Sequence, residues 1–203
     1  MSETETARRP GRPRSAAADA SIVRATLELL LEGGYRALTM EQVRARAGVG
    51  KATLYRRYGS KQELVAQAIR HLNVPIPLPD TGDVRADILA VARSVQAGAE
   101  RVAFANFVPR LLAESAGDPE MHAIFFENLV APRRAVMAEV LRSGVARGEL
   151  RADLNVELAI DILTGPWVYR LLISGGDPAI YRADPSQLLD LVLAGLARPA
   201  GDS

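Results

Sequence analysis

Side chains that could bind DNA are concentrated in the short segment after Val49. They combine two cations, a hydroxyl, a phenol and a methyl group: Lys51, Ala52, Thr53, Tyr55 and Arg56. If the segment is a helix, with about 100° per residue, and Leu54 faces the protein core, four of these side chains point outward. They are Ala52, Thr53, Tyr55 and Arg56.

This outward face has the chemistry of a surface that reads a DNA groove. Arg56 could make a bidentate contact with guanine, and the other groups suit phosphates and thymine methyls. Lys51 adds charge near a helix N-terminus, where backbone N–H groups already favour phosphate. The alternative interpretation is an ordinary helical hairpin with solvated basic residues.

The elements that must position these side chains form a helix, a glycine-containing turn and a second helix. Thr39 and Gln42 have the spacing of a capping box, which predicts a helix that Gly48 stops. The next helix runs from after Val49 to Tyr58. The segment 39–58 therefore predicts a helix-turn-helix.

Two further helices flank this motif. An apolar stripe predicts a first helix over residues 17–32, ended by Gly33 and Gly34. Ser60 and Glu63 form a second capping box, which opens a helix to about Asn73.

The motif resembles the DNA-binding domain of the tetracycline-repressor (TetR) family. The segment TMEQVRARAGVGKATLYRRY carries the family's order and spacing, and the resemblance covers about residues 17–75. The matching positions are Thr39, Ala47-Gly48-Val49, Thr53-Leu54-Tyr55, Tyr58 and Ser60-Lys61. Gly50 departs from the family's usual hydroxyl residue, and Tyr58 from its commoner Phe or Trp.

The resemblance implies roles for these residues. Thr39, Tyr55 and Lys61 would contact backbone phosphates, and Lys51 and Thr53 would lie at the groove. The complete set of candidate DNA contacts is Thr39, Lys51, Ala52, Thr53, Tyr55, Arg56, Tyr58, Lys61, Arg12 and Arg14.

The arginines at the N-terminus are predicted to lie in a disordered basic arm, residues 1–15, because proline and glycine there forbid a helix. Arg12 and Arg14 could enter a narrow minor groove, or the arm could be a solvated tail. The distribution of charge also favours a DNA-binding surface in the N-terminal third of the chain. Residues 1–71 hold 13 Lys and Arg against 7 acidic residues, leaving 12 and 17 for the remainder.

A proline-rich linker from Pro75 to Gly82 ends the first domain, predicted at 16–75. The region 83–198 has no strand pattern, so we expect an all-α protein. Its predicted features are a weak point or break at Gly98, a helix opened by Asp118-Pro119, a kink at Pro132, and last helices over 155–174 and 185–197.

The family resemblance implies that this second region binds an effector and forms a homodimer. A small apolar or amphipathic effector would contact Phe104, Phe107, Met121, Phe125, Met137 and Trp167. Each could instead fill the helical core. The last two helices would pair across a two-fold axis, using an apolar face of Leu188, Leu189, Leu191, Val192 and Leu196.

The sequence contains few features that would indicate another function. There is no cysteine and only two histidines, His71 and His122, so we expect no metal site and no cofactor. No catalytic motif is present, and the apolar runs are too short to span a membrane. The predicted function is a cytoplasmic, dimeric, effector-responsive regulator that binds a double-stranded operator. A helical-bundle enzyme and a partner-binding helical protein are the alternatives.

Overall fold

The computed structural model describes residues 13–73, 75–101, 104–173 and 184–196. The chain divides into two compact units, Met1–Ala68 and Ile69–Ser203. The division falls inside one helix, so the last residues of that helix belong to the second unit. None of the helices described is long and apolar enough to cross a membrane.

The first unit is built from helices that enclose a small apolar core. These are α1 (Pro13–Ala37), α2 (Met40–Ala47), α3 (Lys51–Arg57) and the start of α4 (Lys61–Leu72). Each contributes side chains with no exposed surface, among them Ile22, Val43, Leu54 and Leu64. Burying such a side chain contributes about 1.5–3 kcal/mol, so the core holds even the shortest helix in place.

The predicted capping box of Thr39 and Gln42 and the predicted end of α2 at Gly48 are confirmed. The Thr39 hydroxyl accepts a hydrogen bond from the backbone N–H of Gln42 (3.2 Å), and the Gln42 side chain accepts one from the backbone N–H of Thr39 (2.9 Å). Gly48 ends α2 at φ 67°, a left-handed conformation that glycine adopts without a steric penalty. Helix α1 runs to Ala37, beyond its predicted end at residue 32, and its regular geometry breaks at Gly34, at φ 79°.

The start of α1 corrects the predicted arm and first helix. The helix begins at Pro13, so residues 13–15 of the expected arm are helical. Proline is well tolerated in a first helical turn because the backbone N–H it lacks has no partner there. Arg12 and the side chain of Arg14 lie outside the described residues.

The second unit is also helical where it is described. Its helices are α5 (Val84–Arg101), α6 (Phe104–Gly117), α7 (Pro119–Phe125), a π-helix (Phe126–Val130), α8 (Ala131–Ala146), α9 (Val156–Ile173) and α10 (Pro185–Leu196). Their core includes Ile88, Leu141, Ile160 and Leu189. The predicted cap holds: Asp118 accepts hydrogen bonds from the N–H groups of Glu120 and Met121.

Interruptions of a helix were predicted at Gly98 and at Pro132, and the structure differs between the two positions. No break occurs at Gly98, because α5 continues through it to Arg101; a single glycine costs only about 1 kcal/mol in a helix. At Pro132, where a kink was predicted, the structure shows a π-helix over the preceding residues, in which the N–H of Ala131 donates to the carbonyl of Phe126. Pro132 has no N–H to give to the carbonyl of Asn128, four residues earlier.

A buried carboxylate fixes the linker to the second unit. Asp87 is 1% exposed and accepts hydrogen bonds from the backbone N–H (3.0 Å) and hydroxyl (2.7 Å) of Thr81. Its other oxygen lies 3.5 Å from the Arg147 guanidinium. Because a buried charge needs such partners, the end of the proline-rich segment is held against α5.

The close packing at Gly144 gives a stability prediction. A Cβ added there would lie 2.6 Å from Val84 Cγ2 and 3.1 Å from Leu150 Cδ1. We therefore expect Gly144→Ala to lower the free energy of unfolding by about 1–3 kcal/mol, as overpacking does. Urea denaturation followed by circular dichroism measures this.

The matched control is Gly117→Ala at the end of α6, where an added Cβ has no neighbour within 4 Å. It should change stability by less than about 1 kcal/mol. Equal midpoints for the two variants would contradict the packing described around Gly144.

Candidate nucleic-acid interface

Helix α3 presents the outward face that its sequence predicts. Leu54 has no exposed surface, whereas Lys51, Ala52, Tyr55 and Arg56 are exposed and Thr53 is half-buried. Tyr55 is 45% exposed, which is high for a ring of that size. An exposed phenol beside an exposed guanidinium and a small methyl side chain can meet phosphate and base edges at one surface.

The exposed side chains at the start of α3 also contact one another. The Lys51 ammonium lies 5.8 Å from the centre of the Tyr55 ring, a distance at which a cation is attracted to the ring face. This contact keeps both groups on the outward side of the helix. It adds positive charge next to the phenol that the family resemblance assigns to phosphate.

Ion pairs join the helix-turn-helix to α1. Arg57 contacts Asp19, an ion pair between α3 and α1, and Arg46 on α2 donates two hydrogen bonds of 2.8 Å to Glu32. Sequence reasoning missed the Arg57 contact. The spacing of Arg57, three residues after Leu54, places it on the inner side of α3 and could have revealed that it differs from Arg56.

Lys61 is anchored within the first unit. Its ammonium donates a hydrogen bond of 3.0 Å to the carbonyl of Tyr35 and lies 4.1 Å from the centre of the Tyr35 ring. An ammonium has three N–H groups, so this hydrogen bond uses one of them. The contact fixes where the charge of Lys61 lies at the start of α4.

Tyr58 is a correction to the predicted set of DNA contacts. Its side chain is only 6% exposed, because it packs in the core where α3 ends, and burial raises the pKa of its phenol. Its backbone N–H donates to the carbonyl of Leu54 at 3.0 Å. Tyr58 therefore helps to hold α3 in place and offers little surface to DNA.

Thr39 combines its capping role with an exposed position. Its hydroxyl accepts from the Gln42 backbone and donates to the Gln42 side chain at 3.0 Å. The residue is exposed at the N-terminus of α2. A phosphate there would meet the first N–H groups of the helix as well as this hydroxyl.

The second unit contains a cavity of about 440 Å³. Its lining is mostly aliphatic and aromatic, with a few polar side chains: Gln96, His122, Arg133, Arg134 and Thr164. Of the predicted effector contacts, Phe125, Met137 and Trp167 line it. Sequence reasoning found none of the polar groups, since nothing in a helical stripe distinguishes a wall from a core.

Of the other predicted effector contacts, Met121 does not line this cavity in the part of the chain that the structure describes. Met121 has no exposed surface and is missing from the cavity wall, so it belongs to the core. That is a correction, and its cause is the inward orientation of the first turn of α7. The side chains of Phe104 and Phe107 lie outside the described residues.

An apolar surface remains exposed on the last two described helices. On α9, Leu158, Ile162 and Tyr169 are 55%, 43% and 65% exposed, and their spacing puts them on one side of the helix. On α10, Leu191 is 78% exposed, whereas Leu189 is buried. The face predicted for α10 is therefore divided between the core and the surface.

Comparison with known proteins agrees with this geometry. Residues 22–68 match the model of "Bacterial regulatory proteins, tetR family", and residues 78–195 match "Tetracyclin repressor-like, C-terminal domain". The HTH-type transcriptional regulator YdeS of Bacillus subtilis (strain 168) is 31% identical, over 90% of each chain.

Two further proteins extend the comparison. The DNA-binding transcriptional repressor TetR of Mycobacteroides abscessus is 28% identical over 93% of this chain and 96% of its own. The crystal structure of the TetR family transcription regulator SCO0332 is similar at a TM-score of 0.61 and 32% identity, covering 89% of this chain and 99% of that one. Both family models and both kinds of relative thus agree with the helix-turn-helix and the helical second unit, and the chain belongs to the TetR family of helix-turn-helix transcriptional regulators.

Proposed function

We propose that this regulator is a repressor that binds a palindromic operator as a homodimer and is released by a small apolar or amphipathic effector. The observation that carries the proposal is the outward face of α3, where Lys51, Tyr55 and Arg56 are all exposed. A similar protein of Mycobacteroides abscessus is named a repressor, which supports that sign of regulation.

The contacts with DNA are of two kinds. Arg56 reads a guanine edge with its guanidinium, while Ala52 and Thr53 contact bases beside it. Thr39, Lys51, Tyr55 and Lys61 contact the phosphate backbone and fix the register of α3 in the major groove. Arg57 takes no part in reading, because its guanidinium is paired with Asp19.

The dimer follows from the size of α3 and from the exposed apolar surface. A helix of 7 residues reads only a few base pairs, and two-fold symmetry doubles the site. Leu158, Ile162, Tyr169 and Leu191 would be buried against the same residues of a second copy. Gly165 lies on the same side of α9, and an added Cβ there meets nothing within 4 Å, so the backbone of a second helix has room to approach.

The effector class follows from the cavity. A volume of about 440 Å³ with a mostly apolar wall fits a small hydrophobic molecule with few polar groups. Gln96, His122 and Thr164 would orient such a molecule, with Trp167 stacked against it. DNA and effector then compete through one conformational equilibrium.

The two kinds of DNA contact predict different outcomes. Tyr55→Phe should weaken binding to all duplexes by a similar factor, because a phosphate contact carries no sequence information. Arg56→Ala should lower discrimination at one base pair of each half-site, by about 1–3 kcal/mol. Fluorescence anisotropy with an operator selected from random DNA, and with its single-base variants, separates these effects.

The control is Arg24→Ala, which removes the same charge from the exposed surface of α1. Its discrimination between duplexes should equal that of the unaltered protein. If Arg56→Ala merely rescaled the affinity for every duplex, Arg56 would not read a base. If the unaltered protein bound no duplex more tightly at low salt than at high salt, the proposed function would be wrong.

The dimer has a separate test. Leu191→Glu should raise the dimer dissociation constant at least tenfold, because a buried unpaired carboxylate costs several kcal/mol. Analytical ultracentrifugation at micromolar concentration measures this. The control Leu78→Glu alters a leucine that is 57% exposed in the linker and should leave the protein dimeric. A monomeric unaltered protein, or a dimeric Leu191→Glu, would contradict the proposed interface.

A further inference from the structure

The π-helix Phe126–Val130 has two sides with different partners. Phe126, Leu129 and Val130 line the cavity, as does Phe125 just before them. Asn128 is absent from the described cavity wall and only 9% exposed, so its side chain is buried elsewhere in the second unit. One short segment therefore borders the cavity and also makes a partly buried polar contact.

The partner of Asn128 is the end of α4. Arg70 Nη1 donates a hydrogen bond of 2.6 Å to Asn128 Oδ1, and Asn73 Nδ2 lies 3.5 Å from the Asn128 carbonyl oxygen. The first contact is short and charge-assisted, so it is the stronger; the second is long and weak. All three residues belong to the second unit.

Pro132 explains why the carbonyl of Asn128 is open to Asn73. In a regular α-helix that carbonyl accepts from the N–H four residues later, which is residue 132. Proline has no N–H, and the helix is π-helical over the preceding turn. The Asn128 side chain also donates to the carbonyl of Ile124 at 2.8 Å, which fixes the orientation of its amide.

Arg133 provides a second connection between the same two places. It lines the cavity, and its Nε donates a hydrogen bond of 3.3 Å to Asn73 Oδ1. A molecule in the cavity would therefore meet a side chain that is already bonded to the residue just after α4. The two routes lead to the same last turn of that helix.

We propose that the π-helix is the element that couples the cavity to α4, with Asn128 and Arg70 as the main link and Arg133 and Asn73 as the second. This inference rests on the proposed effector function and adds the route of its regulation. A ligand packed against Phe126 and Leu129 changes the position of the segment, and Asn128 moves with it. Arg70 then either moves with Asn128 or loses its hydrogen bond to Asn128 Oδ1.

The change reaches the DNA-binding unit through the chain itself. Helix α4 is continuous from Lys61 to Leu72, so a shift of its last turn alters its first residues, including Lys61. The ligand needs only to favour one of two arrangements of the segment for operator affinity to change. The coupling is reciprocal, so bound operator lowers the affinity for the ligand by the same factor.

A ligand-free experiment tests this route in the full chain. Pro132→Ala restores the missing N–H and lets the segment return towards a regular α-helix, so we expect operator affinity to change threefold or more. In the Arg70→Ala background the same substitution should change affinity by less than 1.5-fold. The double-mutant cycle subtracts the loss of one cation from α4. The matched background His71→Ala, an exposed neighbour of Arg70, should retain the full effect.

A second arm uses 1-anilinonaphthalene-8-sulfonate, an amphipathic fluorescent probe. Its binding in the cavity is read by energy transfer from Trp167, the one tryptophan of the chain. Saturating probe should lower operator affinity about fivefold or more in the unaltered protein, and by less than twofold in Arg70→Ala at equal probe occupancy.

The outcomes separate the two claims. Additive effects in the Pro132 and Arg70 cycle, or equal release of the unaltered protein and Arg70→Ala by the probe, would overturn the coupling route. A probe that binds without releasing DNA would contradict the proposed effector function, and the cycle would still decide the route. If no duplex is bound at all, the proposed function fails first.

Discussion

The orientation of α3 depends on the burial of Leu54. A helix of 7 residues is too short to be stable alone in water, so its position is set by what it packs against. Leu54 has no exposed surface, and Tyr58 and the Arg57–Asp19 ion pair hold the same inner side. Once that side is fixed, the helical repeat leaves Lys51, Tyr55 and Arg56 outward. The outward position of these side chains is in this sense a consequence of core packing.

The sequence predicted those features that depend on neighbouring residues. The Thr39–Gln42 capping box, the glycine at position 48 and the Asp118-Pro119 helix start all involve residues within four positions of one another. Features that depend on distant contacts were missed. The burial of Met121, the use of Arg57 as an internal brace and the polar residues of the cavity come from packing between helices. Of the two outcomes expected at Gly98, a weak point or a break, the break does not occur, because a helix tolerates one glycine at a cost of only about 1 kcal/mol.

The second unit shows how one missing donor affects several elements. Pro132 removes an N–H, the preceding turn is π-helical, and Asn128 makes partly buried contacts with the end of α4. The opposite side of that turn borders the cavity. The linker before α5 is held separately by Thr81 and Asp87. The end of α4 and the end of the linker are therefore held at different points of the same unit.

In the proposed complex, two copies of α3 related by two-fold symmetry bind the two halves of one DNA site. Selection of bound sequences from random duplex DNA, using the full chain at moderate salt, tests it most directly. We expect an inverted repeat whose half-site centres lie about one helical turn, roughly 10 base pairs, or a multiple of it apart. Enrichment of a single half-site without a symmetric partner, or no enrichment over the starting pool, would contradict it.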